Sequence, residues 1–371
     1  IYCKFTNSKI YEKVVYNRLT HYLNSHELID DDQHGFRAGR STITAAIKLI
    51  ESIINSVDQG LNIVGIFMDM SQAFDKVEHS ILLSKLKALG ISGISHKWFS
   101  SYLEDRYQFV ELSHLSKNNW LQKTRSKLNR INLGVPQGSI LGPLLFICYL
   151  KNLPKALTQS TSKLSMYADD INLKTSGNSI TNIETASKLE LSNINQFLTA
   201  HNLTLNANKT NFIFFRTNHI KNDIVPKISI DNQTIDQAKT SKFLGLIIDE
   251  CLNWNSHVDY LVNKINSGLF VLRSMTFICD ISVLKIIYHS LIESHIRYGI
   301  CIYGGTTQKN LKQILTLQKK AIRIIQNLKY NESAKPYFKE MEIFTVHGLY
   351  IFETIQLVYK EDQKDVDLFH N

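Results

Sequence analysis

Apolar positions recur along this chain with two different periods, and the change from one to the other divides it. In "SKIYEKVVYNRLTHYL", Ile10, Val14, Leu19 and Leu23 fall near helical spacing and predict an amphipathic helix. The polar stretch "DDDQHGFRAGRS", punctuated by Gly35 and Gly39, predicts a loop, after which Ser41 or Thr42 caps a helix through "TAAIKLIESIINSV". "NIVGIFMDMSQAF" carries a short apolar run at Ile63, Val64, Ile66 and Phe67, the mark of a buried strand ending at Asp69. Leu82, Leu86 and Leu89 then share one helical face, with Gly90 as the stop. "YQFVEL" and "KLNRINL" predict a strand pair ahead of Gly134, and "SILGPLLFICYL" a buried helix. "KLSMYADDINLKT" alternates at period two on both sides of Asp169 and Asp170, which predicts a hairpin with the acids at its tip. Beyond Asp249 the pattern turns helical in "HVDYLVNKINSGLFVLRSM", "VLKIIYHSLIESHI" and "LKQILTLQKKAIRIIQNL". The whole reads as α+β, with a mixed front and middle, a helical end and at least two subdomains.

The aspartates pose the chemical question. Adjacent like charges repel, and carboxylates near a core lose hydration, so they need a solvated turn or a bound cation. Taken singly, Asp69 marks a strand end and Asp169 and Asp170 are turn acids. If the strand of Asp69 pairs beside the hairpin, three carboxylates converge, and their hard oxygens select Mg²⁺ or Mn²⁺. Two such ions serve in-line phosphoryl transfer.

Composition adds a partner. The 371 residues are 44% hydrophobic and 20% charged, with a formal charge of +9. That surplus fits a polyanion, either nucleic acid or an anionic surface, and no apolar run is long enough to span a bilayer. Five cysteines lie scattered without a Cys-x-x-Cys pair, the pattern of free thiols in a reducing compartment.

Six segments, in order, resemble one family. "YADD" looks like the catalytic box of reverse transcriptases, and "FMDMSQAFDKVEH" is similar to their first catalytic block. "GVPQGSILGPLLF" and "QHGFRAGRST" resemble blocks of the non-LTR, LINE-type and jockey-like enzymes, while "LNANKTNFIFF" and "FLGLIID" resemble the two later palm motifs. The resemblance runs from residue 1 to about Gly304. It implies a right-hand polymerase: fingers over 1–60 with 91–133 partly inserted, a palm over 61–250 with an antiparallel sheet, a helical thumb over 251–335, and an extension over 336–371. The implied activity is RNA-directed DNA synthesis as part of a retrotransposon polyprotein. An RNA template, a DNA primer and dNTPs are the implied partners, with two Mg²⁺ (or Mn²⁺) as cofactors and the nucleus or cytoplasm as the place.

The same resemblance implies residue roles. Asp69, Asp169 and Asp170 hold the metal, the first two most directly. Met70 and its backbone face the triphosphate, and Phe74 matches the aromatic gate that leaves no room for a ribose 2′-OH. Gln137 and Gly138 line the nucleotide site, Arg37 matches a finger arginine, and Lys209 a lysine that protonates pyrophosphate. Asp75 reads as an orienting hydrogen-bond partner. Phe243, Leu244 and Gly245 match the primer grip, and Lys312, Lys319, Lys320, Arg323 and Lys329 give the thumb a basic face. Tyr298, Gly299 and Gly304 resemble the family's "YG…WG" segment, with Tyr303 where a Trp is expected. An Arg-Pro pair that family members carry ahead of the position of Ile1 is not in this sequence, and neither an endonuclease domain nor a zinc knuckle is recognised. The chain is therefore expected to be part of something longer, and a relative that binds RNA without polymerising is the alternative. A maturase extension, which a mobile-intron enzyme would carry, is not recognised after residue 332.

Overall fold

The computed structural model describes residues 6–368 except 117–118, 217–224, 231–232 and 330. Two compact units meet at the 238/239 bond.

In the first unit, α1 (Thr6–Ser25) and α2 (Thr42–Asp58) precede β1 (Asn62–Met68). Then come α3 (His79–Ala88), α4 (Gly93–Leu103), β2 (Arg106–Gln108), β3 (Glu111–Leu115), β4 (Leu121–Arg125), β5 (Asn129–Ile131) and α5 (Gly142–Leu150). β6 (Ser162–Tyr167), β7 (Asp170–Gly177), α6 (Ile180–Ala200), β8 (Asn211–Phe215), β9 (Ser229–Ile230), β10 (Gln233–Thr234) and β11 (Asp236–Gln237) complete it. The main sheet runs β11-β8-β1-β7-β6, and β1 sits antiparallel between β8 and β7. Burial on both faces explains why β1 reads as an unbroken apolar run. Val64, Ile66 and Met68 share one face with Ile171 and Leu173, and pack with Ile183, Leu191 and Ile194 of α6 and with α5, buried at every position but Pro143. Ser165 on the other face donates to the Ala45 carbonyl at 3.1 Å, so α2 covers that side. Ser41 caps α2 in a reciprocal box with Thr44.

Two expectations need correction. In α1 only Leu19 and Leu23 of the expected stripe are buried, whereas Ile10 and Val14 are exposed. The buried stripe runs instead through Glu12, two positions on from Ile10, and its carboxylate accepts from the Ile140 amide at 2.7 Å. "YQFVEL" pairs with "KLNRINL" as expected, through β2 on β5, but it is not one strand. It breaks at Phe109–Val110, where the Val110 amide turns to the Ser126 hydroxyl; β2 then pairs with β5 and β3 with β4.

The second unit opens with a hairpin of β12 (Thr240–Phe243) and β13 (Leu246–Asp249). It continues through α7 (Asn255–Met275), α8 (Ile281–Tyr288), α9 (Ser294–Arg297), α10 (Ile300–Tyr303), α11 (Gln308–Ile325), α12 (Lys335–Glu340) and α13 (Val346–Leu368). The stretch "VLKIIYHSLIESHI" is helical as expected, with a π-turn at His289–Glu293. There Glu293, nearly buried, takes hydrogen bonds from both His289 and Arg297 four residues to either side. Gln318 at the centre of the unit is fully buried and fully paired, to the Tyr288 hydroxyl, the Phe344 carbonyl and the Val346 amide. Tyr303, where a Trp was expected, is wholly buried against the His257 ring at 4.8 Å.

Candidate active site

The register of β1 on β7 builds the site. Met68 stands opposite Ile171, so one step further along each strand Asp69 comes beside Asp170, and Asp169 lies in the turn between β6 and β7. The expected hairpin with acids at its tip is present. Burial, first, raises the pKa of Asp169 and Asp170 above the ordinary aspartate value; repulsion by Asp69 adds to it for Asp169, and repulsion by Asp169 and then Asp69 for Asp170.

Hard carboxylates set close together, Asp69 and Asp169 partly exposed and Asp170 exposed, fit a divalent cation by donor chemistry. They do not form a closed cage: among the described residues no three His, Cys, Asp or Glu side chains gather into a ready-made metal cluster. Mg²⁺ itself takes one or two carboxylates and completes its shell with water and substrate phosphate. A cation already stands there. The Lys209 ammonium lies 3.6 Å from Asp69 Oδ2, with both groups open to solvent. Its loop is pinned to the same spot, since the Asn206 amide donates to the Asp69 carbonyl at 2.9 Å and Met70 bridges Leu205.

Met70 itself faces away. Its side chain is buried in the core, which leaves only its backbone for a ligand. Phe74, in the short 3-10 turn Ala73–Lys76, is half-buried and stacks on buried Phe146 with centroids 4.3 Å apart. The segment "GVPQG" docks on this turn: the Val135 amide donates to the Phe74 carbonyl at 3.0 Å and the Gly134 amide to the Val77 carbonyl at 2.7 Å. Gly134 has φ of +84°, and a Cβ there would sit 2.8 Å from the Asp75 carbonyl oxygen, so only glycine allows the approach. Gln137 Nε2 donates to Asp75 Oδ1 at 2.8 Å, which gives Asp75 the orienting place the sequence indicated. Gly138 is exposed, and its carbonyl accepts from Lys9.

Arg37 is turned inward. Its guanidinium donates to the Asp30 and Gln33 carbonyls at 2.9 and 3.2 Å, and burial lowers its pKa. In the second unit, Leu244 and Gly245 both take positive φ, the requirement of a tight two-residue hairpin turn, while Phe243 is buried. Tyr298 donates its hydroxyl to the Leu244 carbonyl at 2.5 Å, and its ring lies where a Gly245 Cβ would meet it at 3.0 Å. Gly299 makes room for Leu246. The "YG" segment therefore holds the hairpin turn, a role the sequence pairing of the two motifs did not reveal. Glu12, the inward staple of α1, was also missed; a lone acid among apolar helical positions was its only signal.

The sequence matches the family described as reverse transcriptase (RNA-dependent DNA polymerase) over residues 1–248. It is 28% identical over 347 residues to the probable RNA-directed DNA polymerase from transposon BS of Drosophila melanogaster, covering 91% of this chain and 37% of that protein. Against the RNA-directed DNA polymerase from mobile element jockey it is 25% identical in D. melanogaster (90% of this chain, 36% of the relative) and 27% in D. funebris (85% and 34%). The chain thus spans little more than a third of these relatives. Among solved structures, apo telomerase from Candida tropicalis aligns with a TM-score of 0.46 at 12% identity, over 92% of this chain and 55% of that one.

Proposed function

Because the chain belongs to the reverse transcriptase (RNA-dependent DNA polymerase) family, we propose that it extends a primer 3′-hydroxyl with deoxynucleotides on an RNA template. The observation that carries this reading is the strand register that brings Asp69, at the end of β1, beside Asp170, with Asp169 in the adjoining β6–β7 turn. Two divalent ions, Mg²⁺ by preference and Mn²⁺ as a substitute, would lower the pKa of the attacking hydroxyl and stabilise charge on the departing pyrophosphate. Asp69 and Asp169 would be the direct ligands and Asp170 the outer one. The protein's own part is positioning. Gln137, oriented by Asp75, and the exposed Gly138 would line the base and sugar, with the Met70 backbone against the triphosphate. Phe74 would stand against C2′, and its stacking on Phe146 supports a rigid wall there. Lys209 would move from Asp69 to the pyrophosphate as the proton donor. Arg37 would act through the loop it staples, and the turn at Phe243–Gly245 would steady the primer end. RNA, DNA and dNTPs are accordingly the proposed partners.

The test is primer extension on poly(rA)/oligo(dT) with dTTP and Mg²⁺ or Mn²⁺. The protein should extend the primer, and Asp169→Asn should reduce the rate by about 10²-fold or more, the scale expected when one charge-stabilising group is lost. Tight RNA binding without extension by the unaltered chain would replace this reading with that of a binding module.

A further inference from the structure

We infer that Gln33 is a positioning residue for the turn carrying Asp169, using its buried side-chain amide to hold the backbone of Ala168. The inference rests on the proposed metal role of Asp169.

The turn needs an outside hold. Tyr167 pairs with Asp170, so Ala168 and Asp169 form a two-residue hairpin loop. The first position of that loop has φ of +56°, a conformation usually left to glycine, yet the residue is Ala168. Strained backbone of this kind persists only where the surroundings over-determine it. Here the surroundings are the segment before "GFR". The Met166 amide donates to the Asp32 carbonyl at 2.9 Å, and the His34 amide to the Met166 carbonyl at 2.8 Å, so Gln33 makes a single parallel bridge to the end of β6. Backbone pairing stops where the hairpin turns away, and the Gln33 side chain continues it.

Gln33 is 2% exposed. Its Oε1 accepts from the Ala168 amide at 2.9 Å and from the Gly35 amide at 2.8 Å, while Nε2 reaches the Ala168 carbonyl at 3.4 Å. A primary amide presents a donor and an acceptor in the same relation as a peptide group, so it can grip both sides of one residue. Gly35 lets the loop come this close, since a Cβ there would lie 2.5 Å from the Ala168 nitrogen. Arg37 closes the assembly by donating to the Gln33 carbonyl at 3.2 Å. The loop thus sets the backbone from which Asp169 and Asp170 project. Outer groups that orient metal ligands typically govern metal affinity by about 10- to 100-fold.

Gln33→Met tests this, keeping the length of the side chain and removing its hydrogen bonds. Ser165→Ala is the control, since it loses a buried bond from the same strand to Ala45 without touching the turn. Three readouts apply: amide hydrogen exchange across residues 164–172, Mn²⁺ binding by electron paramagnetic resonance, and the split of kcat from KM in primer extension. Gln33→Met should speed exchange at Ala168 and Asp169, weaken Mn²⁺ about tenfold or more, and lower kcat with KM for dNTP little changed. Ser165→Ala should leave Mn²⁺ affinity alone. Should Gln33→Met not fold, Gly35→Ala, which presses a methyl on the same amide, should give the same three changes. Unchanged exchange at Ala168 in either folded variant overturns the inference, as does an equal loss of Mn²⁺ affinity in Ser165→Ala. If the unaltered chain neither binds Mn²⁺ nor extends a primer, the polymerase reading falls, whereas the exchange experiment, which needs neither, still decides whether Gln33 holds the turn.

Discussion

Asp170 illustrates how a single residue can oppose the fold that carries it. Its native pKa is raised above 3.8, so the folded chain binds a proton that the unfolded chain has already released. Stability from this group is then present below the unfolded value and lost as pH climbs through the folded one. Above that window the ionised pair costs stability unless a cation compensates. Asp170→Asn should therefore stabilise the fold in EDTA at pH 7, read as a higher melting temperature and worth less than about 1 kcal/mol because the group is exposed and screened, and should lose that advantage near pH 3. Mg²⁺ should stabilise the unaltered protein more than the variant. A lower melting temperature for Asp170→Asn at pH 7 would contradict the charge argument. Phe74 makes a second case, where one ring serves packing and selection together. Phe74→Ala should lower the preference for dTTP over UTP by about tenfold or more, at a stability cost of roughly 2 kcal/mol, below the 3–5 kcal/mol of a fully buried ring because Phe74 is half-buried. Phe146→Leu, which disturbs the stack from the core side, should reduce stability while largely preserving sugar selection. If both variants change selection equally, the gate assignment to Phe74 fails.

At the scale of elements, the site is made by segments docking on one another, and this is where sequence is least informative. Strand β1, the β6–β7 hairpin, α2 with its Ser41 cap and buried α5 were all legible, because each obeys a local period or a local cap. The three aspartates were legible too, since their placement follows from strand register. What escaped was set by distant partners. Glu12 lies on the buried face of α1 and takes a bond from the residue 140 amide, and no periodicity within the helix encodes that. The π-turn at 289–293 answers to Glu293 and to the close approach of Gly268 to the Leu291 carbonyl. Gln33 looks like any loop polar residue until β6 lies beside it. Gly134 allows the docking of "GVPQG" on the Phe74 turn to be measured. Gly134→Ala meets both a positive φ and the Asp75 backbone, whereas Gly60→Ala meets only a positive φ of +71° with nothing within 4 Å. Gly60→Ala should cost about 1 kcal/mol in chemical denaturation, and Gly134→Ala about 1–3 kcal/mol more, with reduced extension activity. Equal costs would mean that the two segments do not rely on this contact.

For the molecule as a whole, the question is where its surplus of nine positive charges meets a polyanion. Net charge alone promises only non-specific attraction, so the distribution must be used. In α11 the buried positions Leu311, Ile314, Leu317, Gln318 and Ala321 face the core of the second unit. Lys309, Lys312 and Lys320 are exposed, and their spacing of three and then eight residues keeps them on one side of the helix. Lys319 is only partly exposed, and Arg323 is tied at 3.2 Å to the Glu332 carbonyl, which leaves both less free to track a phosphate chain. A row of ammonium groups about a helical turn or two apart suits sequence-independent contact, each neutralised phosphate releasing condensed counterions. Binding of a primed RNA template should therefore weaken linearly in log Kd against log salt. Lys312→Ala with Lys320→Ala should reduce the magnitude of that slope by about 1.4 to 1.8, with little change in stability and none in the preference for one template sequence over another. An unchanged slope in the double variant would show that this face is merely solvated, and that the positive surplus engages nucleic acid elsewhere.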